Sequence, residues 1–312
     1  MTAPAAAVSP LCAPATVPML AAVANLTSLK VLRGVLYLDA HEELRRLLPE
    51  GYGALVHRVL WQAGLHGKGL QAMLGHPLYR RLAEGRRSRE VLLHLALRKR
   101  FVHDELEAAL DDGATQVVNV GAGLDPLLAG FAPRWPSARF FEIDRAETLA
   151  PKVEALHALG LDAPNLRPLD ADLAARPLGR VLDETPTFRR EAPTVFLAEG
   201  LLMYLPPFVV RHFFEQARVR MGAGRLVFTF LPEDAAWAGP LTRWTLAATG
   251  NAVRFRLPPE RLEGFLQELG LRIQGDPARF DLAARYLADT PWAGASTADF
   301  EHVAVAARHE DA

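Results

Sequence analysis

The stretch VVNVGAGLDP (117–126) decides the fold. A β-branched run closes on Gly121, and Gly123 follows one residue later. Such a run, QVVNV over 116–120, reads as a buried strand feeding a glycine turn. Glycine has no Cβ and takes positive φ readily, so backbone and ligand can approach closely there. In an open α/β sheet a ligand sits just outside the carboxyl ends of the strands, beside this kind of turn. An ordinary βα turn also uses glycine for geometry alone, so the two glycines by themselves decide little.

The residues that follow decide more. A dinucleotide fingerprint would place a third glycine at position 126. Here that position is Pro126, preceded by Asp125. A pyrophosphate needs helix N–H groups and little negative charge nearby. Proline removes an N–H and aspartate adds an anion. An adenosyl group carrying a sulfonium and an ammonium tolerates acidic neighbours. The turn therefore favours S-adenosylmethionine over NAD, with Gly121, Ala122 and Gly123 against the cofactor.

Downstream, further strands alternate with helical runs. ARFFEID (138–144), NLRPLD (165–170), PTVFLAE (193–199) and GRLVFTFL (224–231) read as strands. VEALHALG (153–160), roughly 207–220 and LEGFLQELG (262–270) read as helices, the first stopping at Gly160. The alternation predicts a doubly wound α/β fold with a mostly parallel sheet. LRIQG and FEHVAVAAR (300–308) follow with no clear long helix between them, which allows an antiparallel pair at the sheet edge.

Upstream, residues 26–112 form a helical cap of amphipathic pieces, LDAHEELRRLL and SREVLLHLALRKRFVHDELEAAL the clearest. GLHGKGLQAMLGH between them is broken by glycine and reads as loop-rich. Residues 1–25 are rich in Ala and Pro and read as a mobile tail. Residues 113–312 then form the ligand-binding domain.

Composition excludes several classes. The 312 residues carry 35 basic and 36 acidic side chains, a net charge of -1. No basic field points to nucleic acid or to an anionic membrane. No run of about 20 apolar residues points to a membrane span. The single cysteine, Cys12, excludes an internal disulfide and a multi-cysteine metal site, and a cytoplasmic setting fits.

Acids recur at strand ends. Asp144 closes FFEID 23 residues after Gly121, where a carboxylate can accept both ribose hydroxyls. A helix N-cap is the plainer use of that residue, and Glu142, on the same strand face, is the weaker ribose candidate. Asp170 and Asp172 follow the third strand. Asp172 is favoured to meet the adenine amino group, with Leu173 on the ring, although Asx turns commonly use Asp in such loops. Glu199-Gly200 ends the fourth strand, facing either the cationic part of a cofactor or neighbouring backbone N–H groups. Tyr204 either lines an acceptor pocket or packs. His103 and His212 are given no catalytic role.

In order, LRKRFVHDEL, QVVNVGAGLD, FFEID, the lysine of PKVEAL, DADL and PTVFLAEGLLMYL resemble the leucine carboxyl methyltransferase family. They are most similar to its bacterial branch, which includes polyketide O-methyltransferases. The resemblance covers roughly residues 92–231. It implies a class I methyltransferase fold, Rossmann-like, with a seven-stranded sheet whose last strand is antiparallel. It implies that Arg100 holds the carboxylate of S-adenosylmethionine and that Gly121 and Gly123 approach its amino-acid part. Asp144 would hold the ribose, Asp172 and Leu173 the adenine, and Glu199 would lie near the ammonium. The family usually carries Asp-Thr-Arg after the glycines, where this chain has Asp125, Pro126 and Leu127.

The expected activity is methyl transfer to a carboxylate or hydroxyl oxygen of a small molecule, without a metal. An NAD(P)-dependent oxidoreductase and a non-catalytic S-adenosylmethionine sensor are the competing readings.

Overall fold

The computed structural model describes residues 26–67, 85–233, 252–275, 280–297 and 301–309. The predicted tail, with Cys12, and most of the glycine-broken segment lie outside them. Among the described residues, four helices come first: α1 Leu26–Asp39, α2 Glu42–Arg45, α3 Tyr52–Gln62 and α4 Arg86–Asp111. Then follow β1 Gln116–Val120, α5 Leu127–Phe131, β2 Arg139–Asp144, α6 Ala146–Ala158, β3 Leu166–Asp170 and α7 Leu178–Asp183. β4 Thr194–Ala198, α8 Pro207–Arg218, β5 Arg225–Phe230, α9 Leu262–Glu268, β6 Leu271–Ile273, α10 Leu282–Leu287 and β7 His302–Arg308 complete the order.

The seven strands form one sheet in the order β3-β2-β1-β4-β5-β7-β6. β1 to β5 run parallel, and β7 inserts antiparallel between β5 and β6. This is the class I methyltransferase order. β1 lies between β2 and β4, so every one of its side chains is buried. That burial is why QVVNV reads as an unbroken rather than an alternating strand.

Strand periodicity sorts the core into two layers. Val117, Phe140, Val195, Leu197, Val227, Val303 and Val305 face the layer built by α1, α3, α4 and α10. Val118, Phe141, Ile143, Phe196, Phe228 and Ala304, one position out of step, face α7, α8 and α9. Neighbouring residues on a strand point to opposite faces, so each face receives its own set. Apolar area removed from water contributes about 25 cal/mol per Å². The N-terminal helices, with α5 and α10, thus cover one face of the sheet.

Several elements depart from expectation. α6 starts at Ala146, well before 153, and runs through Pro151. A proline usually ends or precedes a helix, which is why the sequence suggests a start after Pro151. Here it is the sixth residue, and the helix continues through it at the cost of the i−4 hydrogen bond that proline cannot donate. α5, α7 and α10, of five or six residues each, are too short for a periodicity to reveal, and α10 leaves β6 and β7 without a long helix between them, as expected. No described helix is long and apolar enough to cross a membrane.

Candidate active site

The site grows from the end of β1. Gly121 and Gly123 take φ of 73° and 53°, the left-handed region that glycine enters without strain. A Cβ on Gly121 would lie 2.8 Å from Leu201, and one on Gly123 2.8 Å from Ser28 Oγ. Gly121 N–H donates to the Ile143 carbonyl at 2.8 Å, which joins the turn to β2. Gly123 N–H donates to Asp144 Oδ2 at 2.9 Å, and Leu124 N–H to Ser28 Oγ at 3.0 Å. The turn is thereby fixed between α1 and the end of β2.

Asp125 is buried behind it. Tyr52, at the start of α3, donates its hydroxyl to both Asp125 oxygens at 2.9 Å. Lys99 Nζ donates to Oδ2 at 2.5 Å, and Leu127 N–H to Oδ1 at 2.9 Å. Burial pushes the Asp125 carboxyl up, but the Lys99 charge and the Lys99 and Tyr52 hydrogen bonds outweigh it and hold it low. Burial likewise pulls Lys99 down, and the charges of Asp125 and Glu199 more than restore it. Tyr52 is pushed well above the usual phenol range, first by burial and then by Asp125.

Glu199, at the end of β4, pairs with Arg98 Nε at 2.8 Å and with Lys99 Nζ at 2.9 Å. Arg98 also pairs with Glu301, just before β7. All five charged side chains are nearly enclosed. Three carboxylates meet two cations, so the cluster carries one excess negative charge. Such a cluster is costly to desolvate and is tolerated because each ion is paired.

In front of these groups lies a cavity of about 380 Å³. Gly121, Ala122, Gly123, Asp144, Asp172, Leu173, Glu199 and Tyr204 all line it. Asp144 is not a helix cap: the N-cap of α6 is Arg145, and Asp144 accepts from Gly123 and Arg145 N–H instead. Burial raises its carboxyl, partly offset by those two hydrogen bonds. Asp172 accepts from Ala174 N–H at 2.9 Å, the anticipated Asx turn, and still faces the cavity. Asp170 turns away to accept from Ala146 N–H at 2.8 Å. Glu142 lies beneath the turn, paired with Lys152, and does not line the cavity.

Arg100 requires a correction. It does not line the cavity: its guanidinium donates to the Arg46 carbonyl at 3.3 Å and lies 5.6 Å from the Tyr286 ring centroid. Arg98 and Lys99 occupy the cavity wall instead. Three consecutive helical cations cannot all face one way, so at least one turns inward. At three- and four-residue spacing Arg98 has buried Leu95, Phe101 and Val102, while Arg100 has buried Ala96 and Leu97 before it and half-buried His103 and Asp104 after it, so spacing alone does not separate the two. Tyr52, Thr27, Ser28, Asn119, Glu301 and Arg254 also went unread in the sequence. Nothing in a single chain announces a contact between α3 and the turn 73 residues later. His103 packs on the Phe131 ring, and His212 borders a smaller pocket beside α8. The described lining of the main cavity holds no histidine.

The leucine carboxyl methyltransferase family model matches residues 57–218, more than half of the chain. A relative from Frankia alni is 33% identical over 209 residues, covering 65% of this chain and 70% of that one. One from Parafrankia sp. is 42% identical over 115 residues, covering 36% of each chain. Both are named "Putative S-adenosyl-L-methionine-dependent methyltransferase". Apart from the Frankia alni protein, the matched part spans 36–48% of these relatives' own lengths. Among solved structures, an O-methyltransferase family protein from Burkholderia thailandensis matches at 16% identity and a TM-score of 0.44, over 82% of this chain and 72% of that one. The fold assignment rests on strand order and not on this likeness. The chain belongs to the leucine carboxyl methyltransferase family, a family of S-adenosylmethionine-dependent methyltransferases.

Proposed function

We propose that the chain transfers a methyl group from S-adenosylmethionine to a carboxylate or hydroxyl oxygen of a small, polyketide-like metabolite. The observation that carries this reading is the position of Asp125. Its Oδ1 accepts from Leu127 N–H, so the start of α5, where a dinucleotide's pyrophosphate would dock, already holds a carboxylate. Pro126 at the N-cap of α5 offers no N–H. The crevice suits a cationic nucleoside better than an anionic one.

The remaining lining fits such a ligand. Asp144 and Asp172 stand at the ends of β2 and β3, on the half of the crevice suited to ribose and adenine. Glu199 and the excess negative charge behind it suit an ammonium group, and Arg98 or Lys99 suits the adjoining carboxylate. When bound, the cofactor's sulfonium supplies the methyl group. The protein's part is alignment and exclusion of water. Tyr204 is pushed up to about 12 by burial and then by Glu301, so it stays protonated and donates a hydrogen bond instead of taking a proton. With no histidine in the described lining, an acceptor oxygen already ionised at neutral pH needs least from this site.

Calorimetric titration with S-adenosylhomocysteine and with NAD tests the reading. Micromolar binding of the sulfur compound and none of NAD is expected. Tighter binding of NAD would reverse it.

A further inference from the structure

The described residues of the cavity lining include four cations, and three of these are engaged. Arg98 and Lys99 are held by Glu199, Glu301 and Asp125. Arg145 lies 3.5 Å from Glu147. Arg254 has no acidic partner among the described residues, and its side chain is exposed to the cavity mouth. None of the lining acids reaches it: Asp125 and Glu199 are paired, and Asp144 and Asp172 accept from backbone N–H groups.

Arg254 is nevertheless held in place. Its backbone N–H donates to the Met203 carbonyl at 2.8 Å, and Phe255 N–H reaches the same oxygen at 3.2 Å. Val253 packs with Met203, Leu231 and Tyr204, while Phe255 and Leu257 are buried in the core beside β4 and β5. Arg254 and Tyr204 therefore share one wall.

That wall belongs to the half of the crevice away from the nucleoside. Asp144 and Asp172 follow β2 and β3 at one side of β1; Tyr204 follows β4 and Arg254 follows β5, on the other side. A guanidinium without an acidic partner among the described residues, on a backbone anchored beside a phenolic side chain, suits a planar anion, because its N–H groups match the two oxygens of a carboxylate. We propose that Arg254 is the acceptor-recognition residue of this site and that the acceptor it selects carries a carboxylate. This rests on the functional reading above and narrows its substrate class.

The test uses the full chain saturated with S-adenosylhomocysteine. Salicylate, 3-hydroxy-2-naphthoate and 3-hydroxydecanoate are titrated, each beside its own carboxamide, into the parent protein, Arg254→Gln and Arg254→Lys. At least one carboxylate is expected to bind at least about tenfold more tightly than its amide, the range of a charge-assisted contact. Arg254→Gln should abolish that preference, and Arg254→Lys should keep part of it. Affinity for S-adenosylhomocysteine should not change, since Arg254 lies on the other half of the crevice. Equal binding of acid and amide, a preference that survives Arg254→Gln, or no binding of any of the three carboxylates overturns the proposal. Failure of S-adenosylhomocysteine itself to bind would instead overturn the functional reading.

Discussion

Lys152 and Glu142 form an ion pair beneath the glycine turn, Nζ to Oε2 2.9 Å, with side chains 0% and 2% exposed. Lys152 also donates to the Asp125 carbonyl at 3.0 Å. One ammonium thus joins α6, the strand that ends in Asp144 and the residue that enters α5. Glu142 is pushed up by burial against the pull of Lys152, so the pair holds only while both partners are present. Lys152→Met leaves a buried carboxylate unpaired and should cost about 3–5 kcal/mol in urea denaturation. Protonation of Glu142 then limits the damage. A group whose folded pKa is raised favours the folded state at low pH, so the loss should be smaller at pH 5 than at pH 8. Adding Glu142→Gln should recover much of the stability. A single variant as stable as the parent would remove the pair from the account.

Arg98 and Arg100 should behave oppositely. Arg98→Ala removes a guanidinium from Glu199 and Glu301 and from the cavity wall. It should lower the denaturation midpoint and weaken S-adenosylhomocysteine binding at least tenfold, since breaking a buried pair leaves a charge uncompensated. Arg100→Ala removes a 3.3 Å contact to a carbonyl and should change binding by less than about twofold. Calorimetry on both variants decides. The reverse order of effects would return the carboxylate role to Arg100.

Asp144→Ala should weaken cofactor binding while leaving the fold intact. Each charge-assisted hydrogen bond to a ribose hydroxyl is worth about 1.5–3 kcal/mol. Part of the loss comes through Gly123, whose N–H loses its acceptor. Binding should also weaken on acidification earlier than for an ordinary aspartate, because burial raises the Asp144 carboxyl and the ribose needs the carboxylate as acceptor. The affinity of Asp144→Ala should lack that acid limb. Unchanged affinity would leave Asp144 as a brace for the turn alone.

What was legible in the sequence was what periodicity and local chemistry encode. QVVNV, FFEID and TVFLA read as strands because each is buried on both faces, and the acids at their ends read as cavity residues because strand ends define the crevice. Asp125 was read only as a charge unfavourable to phosphate. Its partners, Tyr52 and Lys99, come from other helices and could not be placed without the fold. Among three consecutive cations the resemblance points to Arg100, and helical spacing does not correct it, because Ala96 and Leu97 on its stripe are as buried as the neighbours of Arg98. Arg254 sits in a segment with no regular structure, where no period exists to orient a side chain.

His94 gives the acid sensitivity of the fold a specific source. It lies on α4, one turn before Arg98, and its imidazole is pushed down to about 3, first by burial and then by the charges of Arg98 and His302. The folded protein therefore holds it neutral, while the unfolded chain protonates it near pH 6.5. Below that pH the unfolded state binds the extra proton, so stability falls with acidification until the pH reaches the folded value. The slope contributed by one such proton is about 1.4 kcal/mol per pH unit, or up to about 5 kcal/mol over the whole window. Carboxylates contribute slopes of their own, so the difference between two proteins is the informative quantity. Unfolding free energies for the parent and His94→Gln at pH 6, 5 and 4 should show the variant's slope shallower by about one proton at pH 5 and below. The variant should be less stable than the parent at pH 7, where the imidazole's packing is lost without relief. Parallel slopes would mean that His94 is protonated in the fold, and that the charge cluster behind the cavity carries one more positive charge than its geometry implies.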